Sequence, residues 1–189
     1  AHGFSVGVIA QPDWRDVSAF KTLGRPRLFV GVTAGNMDSM VNRFTASRHL
    51  RSKDAYSPAG EMGKRPDRAT IPYTSRVKQA FPGVPVVIGG IEASLRRLVH
   101  YDFWQDKMRG SILLDAKADL LVYGMGEHQV ITIAKRLRSG KSIAECRDIP
   151  GVLYALGAKE PRPSDAIELP SLEECRSNPK AFARLNCRR

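Results

Sequence analysis

The sequence predicts an α/β fold, a doubly wound and mainly parallel sheet with helices on both faces. Four short, β-branched apolar runs are continuous rather than alternating, which is typical of strands covered on both sides. Segments with helical apolar spacing lie between the later runs, and such alternation implies right-handed strand–helix–strand crossovers. With 189 residues, 42% of them hydrophobic, the chain can bury a core without disulfide or metal support.

The predicted strands follow one another along the whole first part of the chain. They cover residues 4–10, 27–33, 84–89 and 118–124, with the sequences FSVGVIA, RLFVGVT, VPVVIG and ADLLVYG. Each run is compact and rich in β-branched residues, as expected for short buried strands.

Three stretches carry the apolar spacing of helices. The first, before the third strand, contains Tyr73, Val77, Ala80 and Phe81 and is closed by Pro82 and Gly83. The second follows Gly90 with Ile91, Leu95, Leu98 and Val99. The third follows Gly126 with Val130, Ile131, Ile133, Ala134 and Leu137, and basic residues occupy its last turn before Gly140.

Two stretches lack such a pattern. Residues 48–68 are rich in glycine, proline and charge, which predicts a long loop of the kind that is often functional. From residue 149 onward the chain is proline-rich and predicts an extension that leads away from the sheet. We therefore expect residues 1–148 to form the α/β domain and residues 149–189 to form the extension.

The charge and the cysteines narrow the class of protein. Lys and Arg number 30 against 19 Asp and Glu, a net charge of +11, and residues 43–78 hold nine bases against three acids. With Phe44, Tyr56 and Tyr73 among them, that segment could bind RNA or another polyanion, although a solvated basic loop or a surface for another domain is the favoured interpretation. No apolar stretch approaches the roughly 18 residues of a membrane span. Three irregularly spaced cysteines favour reduced thiols and a cytoplasmic location.

Ligands of open α/β sheets bind outside the carboxyl ends of the strands. Three loops are expected at that edge, and their candidate ligand-binding residues are Thr33 and Asn36, then Gly89, Gly90, Glu92 and Ser94, then Gly124, Gly126 and Glu127. The alternative is that the glycines only form tight turns and the glutamates only complement helix dipoles. The G-x-G-x-x-G fingerprint of dinucleotide sites is absent.

Neither a catalytic residue nor a metal site is predicted within the chain. Cys146, Cys175 and Cys187 lie far apart in sequence, and no C-x-x-C, H-x-x-x-H, H-E-x-x-H or G-x-S-x-G pattern occurs. His100, in the sequence HYDFW, could be a base oriented by Asp102, but a histidine packed at a helix end is the favoured interpretation.

Several long runs together resemble one known family. GFSVGVIAQPDW, LGRPRLFVGVTAGNMDSMVNRFTASRHLRSKDAYSP, KRPDRATIPYT, GGIEASLRRLVHYDFW and SILLDAKADLLVYGMGE are similar to the N-terminal, cobalamin-binding-like domain of YgiQ-type radical S-adenosylmethionine (radical SAM) proteins. The resemblance covers roughly residues 3–155. It implies a flavodoxin-like or Rossmann-like domain that precedes a radical SAM barrel.

The expected function of the chain follows from the family motifs that it lacks. The C-x-x-x-C-x-x-C motif that holds a four-iron four-sulfur cluster and S-adenosylmethionine in the family is absent here, as is the cobalt-binding D-x-H-x-x-G element. The family also begins with a strand that has no counterpart before Gly3. The resemblance thus implies an accessory domain, a fragment that is not catalytic alone. Its partner would be a radical SAM domain in the same polypeptide, and the substrate is unknown. Cobalamin binding is doubtful.

Overall fold

A four-stranded sheet lies at the centre of the structure, a computed structural model that describes residues 2–188. The strands are β1 Val30–Val32, β2 Val86–Ile88, β3 His100–Asp102, β4 Lys107–Arg109, β5 Leu120–Val122 and β6 Val152–Leu153. The α-helices are α1 Ser18–Lys21, α2 Ser39–Arg43, α3 Thr70–Ala80, α4 Gly90–Leu95, α5 Ile112–Ala116, α6 Glu127–Arg138, α7 Leu172–Ser177 and α8 Pro179–Arg188. Two 3₁₀ turns, Pro58–Gly60 and Ile143–Cys146, complete the elements.

The main sheet has the strand order β1-β2-β5-β6. β1 pairs in parallel with β2, and β2 pairs in parallel with β5. β6 runs antiparallel to β5 at one edge. The predicted α/β class with a mainly parallel sheet is therefore confirmed. The antiparallel edge strand was not predicted, because Val152–Leu153 is only two residues long and half-buried, too short for a recognisable pattern.

The core lies on both faces of this sheet. Val86 and Ile88 of β2 belong to a cluster with α3 and α5, whereas Val87, between them, belongs to a second cluster with Ile133 of α6 and Cys146. Because successive side chains of a strand point to opposite faces, one apolar strand supplies both clusters. This is why the strands read as continuous apolar runs, and it confirms helices on the two faces.

The first predicted strand is wrong. Residues 4–10 form no strand, and Val6 and Val8 remain 80% and 81% exposed. An isolated extended segment has no ladder of hydrogen bonds to hold it, and within the described residues none is formed with β1. The segment instead runs over the surface, where Arg138 donates to the Gly3 carbonyl and lies over the Phe4 ring.

Two of the three helical stretches face the core as predicted. Tyr73, Val77 and Ala80 of α3 are buried, as is Ile133 of α6. The long loop predicted at residues 48–68 is also present, and it contains the turn Pro58–Gly60 and an isolated antiparallel bridge from Leu50 to Phe44.

Helix α4 is shorter than its apolar spacing predicts, and it is turned the other way. It ends at Leu95, and Ile91 and Leu95 are 50% and 54% exposed while Glu92 and Ala93 are buried. The physical reason is that polar groups, not the apolar stripe, set the rotation of this helix: Glu92 and Arg96 bind buried partners on the inner side. Ile91 and Leu95 then point outward.

A hairpin and the C-terminal helices were not predicted. β3 and β4 form a separate two-stranded antiparallel sheet. The segment after residue 149 first adds β6 to the sheet, rather than leading away from it, and then reaches α7, where Ser171 and Glu174 form a capping box. Among residues 2–188, no helix is both long enough and apolar enough to cross a bilayer.

Candidate functional site at the carboxyl edge

Three loops open at one edge of the sheet, as the sequence predicts. β1, β2 and β5 are neighbouring parallel strands, so the segments that follow them share the carboxyl edge. All nine candidate residues lie in these segments.

The first and second loops touch through Thr33 and Gly90. A Cβ built on Gly90 would lie 2.3 Å from the Thr33 hydroxyl oxygen, and Gly90 has a φ of +77°. Both the space and the backbone conformation therefore require glycine. The same Thr33 oxygen accepts a 3.3 Å hydrogen bond from the N–H of Gly35, so this exposed threonine orients the start of its own loop.

The second and third loops are joined at two points. The Ser94 hydroxyl accepts a 3.1 Å hydrogen bond from the N–H of Gly124. Gly89 lies against the end of β5, since a Cβ on it would be 3.3 Å from the Val122 carbonyl oxygen. At Gly126 a Cβ would meet the Val122 side chain at 2.5 Å. Gly89 therefore permits close approach of the second loop to the third, whereas Gly126 lets the third loop turn tightly over the end of its own strand.

The long insertion forms a wall beside the first loop. The Asn36 side-chain amide donates to the Tyr56 hydroxyl at 3.3 Å, and Arg65 donates to the Ala34 carbonyl at 3.3 Å. Arg65 also donates hydrogen bonds to both carboxylate oxygens of Asp54, at 2.9 and 3.1 Å. Burial alone would raise the pKa of Asp54, but hydrogen bonds from the Tyr56 N–H and several side chains, Arg65 included, lower it overall. The insertion is thereby fixed to the edge.

Glu92 lies beneath the edge rather than on it. Its side chain is 1% exposed, and its oxygens accept from the N–H and hydroxyl of Ser39 and from the N–H of Thr70. Ser39 and Thr70 begin α2 and α3, so Glu92 complements the dipoles of two neighbouring helices. The dipole alternative named for this glutamate is thus realised, although on other helices than its own.

Glu127 stands on the open side. It is the first residue of α6 and is exposed. Next to it, Met125 is 86% exposed and Gly124 has a φ of +72°. Of the two glutamates, only Glu127 presents its carboxylate to a molecule approaching the edge.

Two buried ion pairs lie beside this edge, one of which holds the hairpin, and sequence reasoning missed both. Arg96 binds the Asp38 carboxylate at 2.6 Å, while Asp38 also caps α2 through the N–H of Met40 at 2.9 Å. Asp102 of β3 binds Arg68, and hydrogen bonds to this buried carboxylate lower its pKa although burial alone would raise it. The sequence does signal Asp38, because an aspartate just before a helix is a typical N-cap. It gives no signal for the partner Arg96, which lies 58 residues further along the chain.

The basic segment uses its charges within the chain. Most cations between residues 43 and 78 have intramolecular partners: the pairs Arg43–Asp67, Lys64–Glu61, Arg65–Asp54, Arg68–Asp102 and Lys78–Asp119, the stacking of Arg48 on Phe103, and hydrogen bonds from Arg51 and Arg76 to carbonyls. Most of these cations therefore have a partner within the chain, and binding of RNA or another polyanion by this segment stays a prediction.

The donor groups of the chain do not fit an iron–sulfur cluster. In the part of the chain that the structure describes, no three His, Cys, Asp or Glu side chains converge on a common point. Cys146 and Cys175 are buried, and burial raises the pKa of both thiols, which disfavours the thiolate that a metal requires. No step of cluster chemistry can be assigned to these residues.

Comparison with known proteins gives a consistent picture. A family described as "Radical SAM N-terminal" matches residues 1–188. A UPF0313 protein of Thermotoga maritima is 56% identical over 183 residues, 97% of this chain and 32% of that protein. A UPF0313 protein of Geobacter sulfurreducens is 54% identical over 96% of this chain and 30% of its own length. The chain thus spans about a third of these relatives. No solved structure matches it significantly.

Proposed function

The chain belongs to the radical SAM N-terminal family, and on that basis we propose that it is the accessory, non-catalytic part of an iron–sulfur enzyme that acts through S-adenosylmethionine. The observation that carries this proposal is the family match over residues 1–188 in a chain that spans about a third of its relatives. The cluster and S-adenosylmethionine would belong to the remaining two thirds. Free cysteines are compatible with the reducing cytoplasm, where we place the enzyme.

The contribution of this chain would be the carboxyl edge of its sheet. Thr33, Asn36, Gly90, Gly124 and Glu127 are exposed there, and the contacts between the loops fix their positions before any ligand arrives. Polar groups that are fixed in place beside glycine turns, where the backbone is accessible, could form one side of a substrate pocket. Glu127 would take hydrogen bonds from a substrate N–H or O–H group. Glu92 would act from below, by fixing the helices that carry these loops.

Cobalamin is not part of the proposal. The chain lacks the D-x-H-x-x-G element, and His128, the histidine that follows Glu127, lies exposed at the start of α6. The substrate is left to experiment.

Anaerobic reconstitution with iron and sulfide tests whether the cluster belongs to the part of the protein outside this chain. We expect the full-length protein to bind one four-iron cluster per polypeptide and to cleave S-adenosylmethionine, measured by iron analysis, absorption and chromatography of the products. Residues 1–189 treated in parallel should gain no stoichiometric cluster, because the thiols do not converge. A stoichiometric cluster on the 189-residue chain, or a full-length protein with neither cluster nor cleavage, would overturn the proposal.

A further inference from the structure

We propose that an open pocket at the amino edge of the sheet binds a small dicarboxylate, with one carboxylate on Arg147 and the second beside Lys141. The cavity of this amino-edge pocket measures about 470 Å³, and its polar lining consists of Arg136, Lys141, Glu145, Arg147, Asp148 and Tyr154. A concave site with several convergent polar groups is the kind of place where small molecules bind.

The amino-edge pocket lies at the opposite end of the sheet from the candidate site. Helix α6 starts beside the carboxyl edge at Glu127 and runs back along the sheet, so Arg136 in its last turn lies toward the amino edge. Strand β6 runs antiparallel to β5, so Tyr154, which follows β6, also lies toward the amino end of β5. The pocket is therefore a second site, and its ligand is independent of the proposed function.

Arg147 already binds a carboxylate from its own chain. Its Nη1 donates to both carboxylate oxygens of Glu160, at 2.9 and 3.1 Å. Its guanidinium also lies 4.9 Å from the centre of the Tyr154 ring. A guanidinium that is placed by an aromatic ring and presents its N–H groups outward suits the recognition of a carboxylate. The contact with Glu160 shows that a carboxylate can reach this arginine.

Glu160 is a partner that a ligand can displace. It lies in the irregular segment between β6 and α7, and its side chain is 43% exposed. Its carboxylate also accepts from the N–H of Gly157 at 3.3 Å, a contact within the same segment. Exposed ion pairs contribute little to stability, so a free carboxylate can replace Glu160 on Arg147 at small cost to the fold.

The two carboxylates that line the pocket are engaged by groups of the fold. Asp148 binds Arg136, whose Nη2 lies 3.0 Å from one of its oxygens. Glu145 accepts from both the N–H and the hydroxyl of Ser142, each at 2.8 Å, in a capping box. These acids therefore have partners that belong to the local structure, and neither of them binds Arg147.

The charge around the pocket favours a ligand with two negative charges. Residues 135–148 contain five Lys and Arg against two Asp and Glu, an excess of +3. Lys141 is exposed on the pocket wall between α6 and the turn Ile143–Cys146. Its ammonium group can therefore bind the second carboxylate of a ligand whose first carboxylate has replaced Glu160. Two such contacts from a single molecule outweigh the one contact that Glu160 makes.

Ligand-observed NMR on the full-length protein tests the site, with succinate as the probe. Saturation transfer from the protein to the methylene protons of succinate measures binding. We expect saturable binding that Lys141→Ala weakens about tenfold. The matched control, Lys135→Ala, removes an equal charge from the exposed last turn of α6 outside the pocket and should change the dissociation constant less than about twofold. No saturable binding up to about 20 mM succinate, or equal weakening in the two variants, would overturn the proposal.

A further variant should bind succinate more tightly than the unmodified protein. Glu160→Gln removes the carboxylate that competes for Arg147, and the dissociation constant should fall about threefold. Glu168→Gln, in the same segment but paired with Arg162, is the matched control and should leave binding unchanged. If Glu160→Gln binds succinate no more tightly than Glu168→Gln, the ligand does not replace Glu160 and the proposal is wrong.

Discussion

The carboxylate of Glu92 accepts a 2.9 Å hydrogen bond from the backbone N–H of Thr70, the first residue of α3. Its other oxygen accepts from the N–H of Ser39, the first residue of α2, also at 2.9 Å. The first N–H groups of a helix have no partner inside it. One buried side chain of α4 therefore satisfies donors at the beginnings of two other helices, and it links the three elements that carry the edge loops.

Glu92→Gln should destabilise the protein markedly. An amide presents an NH₂ group in place of one acceptor oxygen, so one N–H at Ser39 or Thr70 loses its buried partner and faces another donor. We expect a loss of about 2–3 kcal/mol in the free energy of unfolding, measured by urea denaturation. The matched control is Glu127→Gln, an exposed first-turn glutamate, for which about 0.3–1 kcal/mol is expected. Equal losses in the two variants would contradict the capping role of Glu92.

Stability should fall as the pH is lowered through the titration of His100. Burial, which is the main cause, lowers the pKa of His100 below its usual 6.5. A lowered pKa means that the fold favours the neutral ring, so the stabilising contribution is complete above pH 6.5 and is lost as pH falls through the folded-state pKa. In the His100→Gln variant, the urea midpoint of unfolding should therefore change less between pH 7 and pH 5 than it does in the unmodified protein.

The carboxylates do not account for that slope. The pKa values of Asp54 and Asp102 are lowered from 3.8, so their contributions are present above that value and are lost at still lower pH. A slope between pH 7 and pH 5 that is unchanged in His100→Gln would assign it to other groups.

Breaking the Arg96–Asp38 pair should cost more than breaking an exposed pair. Arg96→Met leaves the Asp38 carboxylate buried without its cation, and such losses amount to about 3–5 kcal/mol. The half-exposed pair of Arg147 and Glu160, at 2.9 Å, provides the control, since Arg147→Met should cost no more than about 1 kcal/mol. Thermal unfolding of both variants measures the difference. Adding Asp38→Asn to Arg96→Met should restore part of the stability; no restoration would argue against a charge effect.

Glu127→Gln should lower turnover of the full-length enzyme far more than it lowers stability. The substitution keeps the shape of the side chain and most of its hydrogen-bonding capacity but removes the charge from the open side of the edge. Cleavage of S-adenosylmethionine and conversion of substrate, once one is found, are compared with the urea midpoint of the same protein. Unchanged turnover would leave Glu127 as a residue that only begins a helix.

Local patterns were sufficient for the elements whose side chains all serve the core. The runs around β1, β2 and β5 were recognised because a strand covered on two faces must be apolar throughout, and α3 and α6 because their apolar residues recur at the helical period. The grouping of the candidate residues at one edge followed from the shared direction of parallel strands. Those features depend on neighbours in sequence or on one topological rule.

The errors arose where the deciding partner is distant in sequence. Residues 4–10 have the composition of a strand, but a strand exists only when another backbone pairs with it. The stripe of Ile91 and Leu95 predicted a buried helix face, yet Glu92 and Arg96 find partners 53 and 58 residues away and turn that face outward.

The sequence by itself determined the fold class, the three parallel strands and the absence of a cluster-binding motif. Only the tertiary structure decided which glutamate is buried and which is open, which face of α4 meets solvent, and how helix α7 packs on the hairpin. The physical reason is that hydrophobicity is a property of each segment alone. The hydrogen bonds and ion pairs of buried polar groups are directional, and they depend on a partner that only the folded chain brings within reach.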